Sequence, residues 1–305
     1  MILTTMVVVV FLVVSVGFTG LLLKNIEKES LVNLNTAADV LNYALKAKQG
    51  ETTSAAEQLA SDPVVKSALA GNDREKLKTI TSNYLIDKKL SGLVLTGQSG
   101  QVLLRGQDAE QWGDSLSSDA LVKRALVGLN QSTITVLDGV SSPTVQVRSA
   151  VAVKDAAGLV VGSIITSLDL DSGFVGGIKE ATGLQSSIYG GSTLAATTVT
   201  AADGKTRPVG VKLSDQGIKD TVLKKGKEYS GSATIQNRQL LAVFLPVKDV
   251  DNAVIGMLQI AEPQSTILLT AGRSVELTFL LTAVLVLLSV TPIYFITRNL
   301  TKQLD

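Results

Sequence analysis

The chain opens on an uncharged apolar run, Met1 to Leu23, and carries a second from Leu277 to Ile296. Each has about the ~20 apolar residues a bilayer-crossing helix requires, and the first lacks the clear basic start and cleavage site of a removed signal peptide. Between the runs the pattern becomes amphipathic. Lys24 to about Leu85 is rich in Ala, Leu, Lys and Glu, and Leu31, Leu34, Ala38, Leu41 and Leu45 recur at alternating steps of three and four, one stripe of a helix. That stripe is expected to pack on the chain's own sheets, on a partner copy, or on both at different heights. Asp62-Pro63 punctuates the helix, with Pro63 suited to the first turn of a short helix ending near Ala70-Gly71-Asn72; another helix is predicted over 73–89.

From Leu90 the period shortens to that of strands. Gly92 to Thr96 and Gln101 to Arg105 flank the turn Gly97-Gln-Ser-Gly100, a hairpin pattern. A polar loop, Gly106 to Gly113, holds the single Trp of the chain, Trp112, and a short helix over 118–127 has Asp119 near its start. Strands are predicted over 132–137, 144–153 and 159–168, which makes a five-stranded sheet with its helix inserted after the second strand.

The second half repeats this order. Val153-Lys-Asp-Ala-Ala-Gly-Leu-Val-Val-Gly162 returns without a gap as Val247-Lys-Asp-Val-Asp-Asn-Ala-Val-Ile-Gly256, each reading as a closing hairpin. Gly113-Asp-Ser-Leu-Ser117 is echoed by Gly210-Val-Lys-Leu-Ser214, and strands over 185–190, 195–200, 229–236, 240–247 and 254–261 complete a second module with a helix over 216–225. Gly176-Gly177 and Gly190-Gly191 read as loop or hinge positions. Glu262-Pro263 closes the second sheet, and a last helix is expected from Ser265 into the second apolar run.

Composition narrows the chemistry more than any motif does. With no Cys and no His, thiol nucleophiles, the Ser-His-Asp relay, His-ligated haem and ordinary Zn or Cu sites are excluded. Formal net charge is +1 with both signs interspersed, so no basic face for nucleic acid is expected. Phosphate-cradling glycine motifs are absent, nothing singles out a carboxylate pair, and no enzyme activity or cofactor is expected. Asp169-Leu-Asp171 and Asp249-Val-Asp251 lack the ligand count of a Ca²⁺ loop and read as turn formers. Arg298 and Lys302 beside the second apolar run favour a cytoplasmic C-terminus, which leaves residues 24–276 outside.

A helix leaving the membrane, two tandem mixed modules and a return helix resemble the double Cache (dCACHE, PAS-like) extracytoplasmic sensor region of bacterial transmembrane receptors such as the methyl-accepting chemotaxis proteins. Pro246-Val-Lys-Asp249 with Val254-Ile-Gly-Met-Leu258 resembles the family's closing hairpin, Thr182-Gly183-Leu184 the opening of the second module, and Ala195-Ala-Thr-Thr198 its second strand. Arg298 to Leu304 resembles the start of a HAMP linker, with Asn299-Leu300 where a Pro is usual. The resemblance implies an α+β fold of two Cache modules with antiparallel sheets behind a long N-terminal helix, flanked by two transmembrane helices. The divisions expected are 1–23 transmembrane helix 1, 24–89 helical segment, 90–178 membrane-distal module, 179–264 membrane-proximal module, 265–297 juxtamembrane and transmembrane helix 2, and 298–305 cytoplasmic linker. It further implies a homodimer in the bacterial inner (cytoplasmic) membrane, a small-molecule ligand such as a carboxylate or amine, and cytoplasmic signalling partners.

Family members usually bind in the distal module. A pocket there would use Arg105 and Arg148 as donors to an anion, Trp112 as an apolar wall and Asp169 for an ammonium or hydroxyl. The plainer alternative places both Arg on a solvated sheet face and makes Trp112 a loop anchor. The Arg-x-Trp-Tyr cluster of the amino-acid-binding members is missing, although Asp169 follows the last strand as their acidic residue does. Tyr189, Thr198, Arg207 and Phe244 are the analogous positions in the second module. Three functions remain open: a chemoreceptor sensor, or that of a histidine kinase or cyclic-dinucleotide enzyme; an interaction ectodomain without a small ligand; and a tethered hydrolase.

Overall fold

Helix α1 (Ile2–Ser61) stops where it does because Pro63 has no N–H to continue the ladder. The carboxylate of Asp62 then accepts from the N–H groups of Val64 and Val65, capping α2 (Pro63–Ala70), and Asp73 caps α3 (Arg74–Asp87) through the N–H of Lys76. The computed structural model describes residues 2–201, 204–235, 238–266, 272, 276–277, 279–288 and 291–292, with the backbone alone at 2–8 and 11–12.

Two five-stranded antiparallel sheets follow. The first contains β1 (Gly92–Gly97), β2 (Val102–Arg105), β3 (Gln131–Leu137), β4 (Thr144–Lys154) and β5 (Val160–Asp169) in the order β2-β1-β5-β4-β3. Helix α4 (Ala120–Leu126) is inserted before β3, and α5 (Ser172–Thr182) leads to the second sheet. There β6 (Gln185–Gly190), β7 (Thr193–Thr197), β8 (Tyr229–Ile235), β9 (Arg238–Lys248) and β10 (Val254–Pro263) take the order β7-β6-β10-β9-β8. Replacing each strand by its counterpart converts one order into the other.

The repeated stretches owe their residues to this geometry. Asp155 Oδ1 accepts from the N–H groups of Ala157 and Leu159, and Asp249 Oδ1 accepts in the same way from Asp251 and Ala253. The next corner needs a left-handed backbone, supplied by Gly158 (φ 82°) in one copy and Asn252 (φ 62°) in the other. Gly162 and Gly256 stand where a Cβ would come within 2.2 Å of the carbonyl oxygens of Thr96 and Tyr189. The echoed segments also correspond: the N–H of Gly113 donates to the carbonyl of Val102, as that of Gly210 does to Leu194.

The stripe on α1 packs on the chain's own sheets. Leu34, Ala38, Leu41 and Leu45 are buried with Val145 and Val147 of the first sheet and with Leu241, Val243 and Leu258 of the second. Higher up, Ala56, Leu59 and Ala60 join α2, α3 and the inner residues Leu93, Leu95, Val151 and Ile164 of the first sheet. Polar anchors fix the height: Thr166 Oγ1 donates to the carbonyl of Thr52 (2.8 Å), whose hydroxyl lies 2.8 Å from Ser149 Oγ.

Two details differ from expectation. Gly176-Gly177 is no hinge but the middle of α5, which Asp171 caps and Gly183 (φ 74°) ends. The helix expected over 216–225 is a single α-turn, α6 (Gln216–Lys219), continued as a π-turn over Asp220–Lys224. Among the described residues no helix is long and apolar enough to cross a membrane; both apolar runs lie partly outside them, and the linker 298–305 lies wholly outside. Where the runs are described they meet, with Ser15 Oγ 3.5 Å from Thr282 Oγ1.

Candidate functional site

Side chains alternate across a strand, so the first sheet presents a second face away from α1. There Val94, Ile165 and Ala150 pack with Leu121, Val122 and Ala125 of α4. Cross-strand register sets Arg105 beside Val94, Arg148 beside Ser167, and Gln146 beside Asp169, so three of the four predicted residues stand on this face in successive rows. The rows on either side of the apolar Val94–Ile165–Ala150 row are small or hydroxylated: Thr96 and Ser163 share a 2.7 Å hydrogen bond beside Ala152 on one side, and Ser167 lies on the other.

Both arginines are held by carboxylates from the covering segment. Arg105 grips Asp114 through two N–H···O bonds of 2.7 and 2.8 Å and donates to the carbonyl of Gln111. This hydrogen bonding holds the Asp114 carboxyl below the ordinary carboxylate range and pushes the Arg105 guanidinium up. Arg148 Nη1 donates to Asp119 Oδ2 at 2.9 Å, with the two side chains only 16% and 21% exposed. The other oxygen of Asp119 caps α4 through the N–H groups of Leu121 and Val122. Thus a single carboxylate ties the lid helix to the sheet. From sequence Asp119 was legible as a cap; its partner Arg148, 29 positions on, was not.

Trp112 sits elsewhere. It is 55% exposed, and the Arg74 guanidinium at the start of α3 lies 4.6 Å from its ring centroid while donating to the carbonyl of Ala109. It anchors the loop to α3. Asp169, accepting from Gln146 Nε2, lies at the sheet's end and lines a cleft of ≈ 270 Å³ together with Arg207 of the second module. A larger cleft of ≈ 530 Å³, between α2 and the β1–β2 turn, is lined by Asn72, Gln98, Ser99 and Gln101 and by no ionisable group.

The corresponding face of the second sheet is filled. Tyr189, Phe244, Met257, Ile218 and Val222 are buried together, Tyr229 packs edge-on to Phe244, and the remaining space beside Tyr189 is ≈ 20 Å³. Burial pushes the Tyr189 phenol far up, so it stays a neutral donor to Gln259 Oε1. Thr198 is spent on the β6–β7 edge, where it accepts from the N–H of Ser186.

The α4 helix also reaches the second module. Arg124 donates from Nη1 to Gln131 Oε1 and the carbonyl of Val250, and from Nη2 to Asp251 Oδ1 at 2.7 Å. The Val250 side chain packs against the α4 cluster. The turn of the second repeat is thereby clasped to the lid of the first sheet, a contact no sequence pattern announced. Among the described residues no cluster of carboxylates could hold a metal ion.

In fold this architecture is similar to solved domains of bacterial receptors. Residues 166–272, from within β5 through the second sheet, match the family model described as Single cache domain 3. The periplasmic domain of Vibrio cholerae LuxQ is similar with a TM-score of 0.50 and 12% identity, over 77% of this chain and 99% of that one. The sensor domain of the V. cholerae histidine kinase DctB gives 0.50 and 9%, over 77% and 98%. The ligand-binding domain of the Campylobacter jejuni chemoreceptor Tlp3, in complex with 4-methylisoleucine, gives 0.51 and 14%, over 81% and 94%. No curated protein matches the sequence.

Proposed function

We propose that the chain is the extracytoplasmic sensor region of a bacterial transmembrane receptor, a double Cache unit that binds a small ligand under α4 and passes a shift to the membrane. The observation that carries this reading is the contrast between the two sheets. The α4 face of the first carries two arginines held by carboxylates of the covering segment, Arg105 by Asp114 and Arg148 by Asp119, whereas the same face of the second is filled with aromatic and aliphatic side chains. An anionic ligand would compete with Asp119 Oδ2 for Arg148 and so untie α4, still capped by Asp119 Oδ1, from the sheet. Arg124 would carry that displacement to Val250 and Asp251, and β10 to the segment that follows it. Such a ligand shifts the receptor only by binding one arrangement better than the other.

The divisions of this reading are a distal module over 90–178, a proximal module over 179–264 and spans at 1–23 and 265–297. Exposed Val9, Val13, Phe18 and Leu21 on α1, with Phe279, Leu280 and Leu287 opposite, suit lipid contact. Chemoreceptor output is the first reading; the likeness to the sensor domain of the histidine kinase DctB keeps histidine-kinase output as the second, and the coding sequence after Asp305 separates them. Titration calorimetry of the full chain in nanodiscs against small carboxylates and amines tests sensing. A bound carboxylate whose affinity collapses in Arg148→Gln is expected; silence across the panel refutes the proposal and favours an interaction ectodomain.

A further inference from the structure

The ≈ 270 Å³ cleft between the modules is separate from the face under α4: Arg105, Arg148 and Asp119 do not line it. One wall belongs to the first module and its exit, with Pro143, Asp169 and Asp171; the other belongs to the second, with Thr197 and Arg207. Its floor is small and apolar, built from Val145, Leu170 and Ala196.

The charges are divided across it. Asp169 uses Oδ1 to accept from Gln146, and its Oδ2 has no partner among the described residues. Asp171 spends Oδ1 on capping α5. On the opposite wall the Arg207 guanidinium makes no hydrogen bond or ion pair among the described residues. An Arg fork suits a carboxylate, and a carboxylate oxygen suits an ammonium. A volume just below the ~300 Å³ at which ligand pockets usually begin suits a small molecule.

We propose that this cleft binds a small molecule carrying both an ammonium and a carboxylate, such as a short-chain amino acid, with the carboxylate on Arg207 and the ammonium on Asp169. The proposal rests on the sensor reading but places the occupant at the module junction, where one molecule touches both walls. A ligand with only one of the charges leaves the opposite wall unmatched. Because the walls belong to different modules, such an occupant favours one spacing between them, and α5, which starts at the cleft, is the covalent link across it.

Calorimetry on the full chain in nanodiscs with glycine, alanine, serine and β-alanine, using acetate and methylamine as single-charge controls, tests this. Saturable binding of at least one amino-carboxylate that depends on Arg207, with no Arg207-dependent binding of the controls, is expected. Arg207→Gln and Asp169→Asn should each weaken it roughly thirtyfold or more, the effect of truncating one partner of a bound charge pair. Arg207 is exposed, so its variant keeps the fold, which circular dichroism verifies, and it decides the matter if Asp169→Asn disturbs Gln146. Absence of binding by every amino-carboxylate overturns the proposal. Loss in Arg148→Gln with retention in Arg207→Gln also overturns it and leaves the α4 site standing.

Discussion

Alanine in place of Gly162 should destabilise the protein, while the same change at Gly176 should stabilise it. At Gly162 the new Cβ would lie 2.2 Å from the carbonyl oxygen of Thr96, against a floor of 3.0 Å for real contacts. The opposing atom is backbone in β1, held to β5 through the pairs Gly92↔Ser167 to Gly97↔Gly162, and it cannot rotate aside as a side-chain terminus can. Most of an ångström of strand separation is needed at the Gly97 end, an overpacking that costs about 1–3 kcal/mol. At Gly176, in the middle of α5, an added Cβ meets nothing within 4 Å. There the gain is the helix preference for Ala over Gly, about 0.5–1 kcal/mol. Thermal unfolding of the full chain followed by circular dichroism reads the difference, at roughly 2–4 °C per kcal/mol for a body of this size. Gly162→Ala melting at or above the wild-type temperature would refute the hairpin register, and with it the reason given for the glycine in both repeats.

Asp119→Ala should cost about 1–2 kcal/mol through the lost α4 cap and leave Arg148 unpaired, whereas Asp119→Asn keeps the cap and should cost less; urea unfolding separates the two. A double-mutant cycle on Arg124→Ala and Asp251→Ala should give a coupling below about 1 kcal/mol, since both side chains are substantially solvated, yet Arg124→Ala should raise amide hydrogen exchange at the 249–253 turn. A cycle energy of zero with unchanged exchange would sink the clasp. Acid titration addresses Asp114, whose carboxyl is lowered in the folded state by its hydrogen bonds from Arg105. A depressed folded value means the contribution is complete above the ordinary 3.8 and lost as pH falls through the lowered one. Arg105→Gln should therefore flatten the acid limb of the stability curve, by under about 1 kcal/mol because Asp114 is half exposed.

The parts of the fold written in local chemistry were legible in the sequence. Asp62-Pro63, the change of period at Leu90, and the Asp and Gly or Asn positions of the repeated turns each act within a few residues, so helix breaks, strand positions along the chain and hairpins could be read from spacing. Gly176-Gly177 misled because a glycine pair marks backbone freedom without saying whether it is used; here the Asp171 cap and burial of Val175 and Ile178 outweigh it. For the site, alternation placed Arg105, Arg148 and Asp169 on strands or their ends but carried no information about what covers them. Asp114, Asp119, Arg124 and Asp251 acquire their roles only through packing between distant segments. Trp112 was conspicuous by composition, but its contact with Arg74 depends on where α3 lies.

The two copies of one hairpin have diverged in what their turns touch, and the proposed direction of signalling depends on that divergence. In the second copy the turn residues Val250 and Asp251 meet Arg124 and the apolar side of α4. The matching turn of the first copy, Ala156 and Ala157, offers neither a carboxylate nor a branched side chain for such a contact. A lid helix over the first sheet is thus joined by side chains to the last hairpin of the second, whereas among the described residues the cluster on the second sheet's filled face consists of second-module side chains. Displacement of α4 has a path to β10, whereas the apolar packing around Phe244 gives the second module little freedom to change alone. Recognition in the first module and transmission by the second is the assignment consistent with that asymmetry.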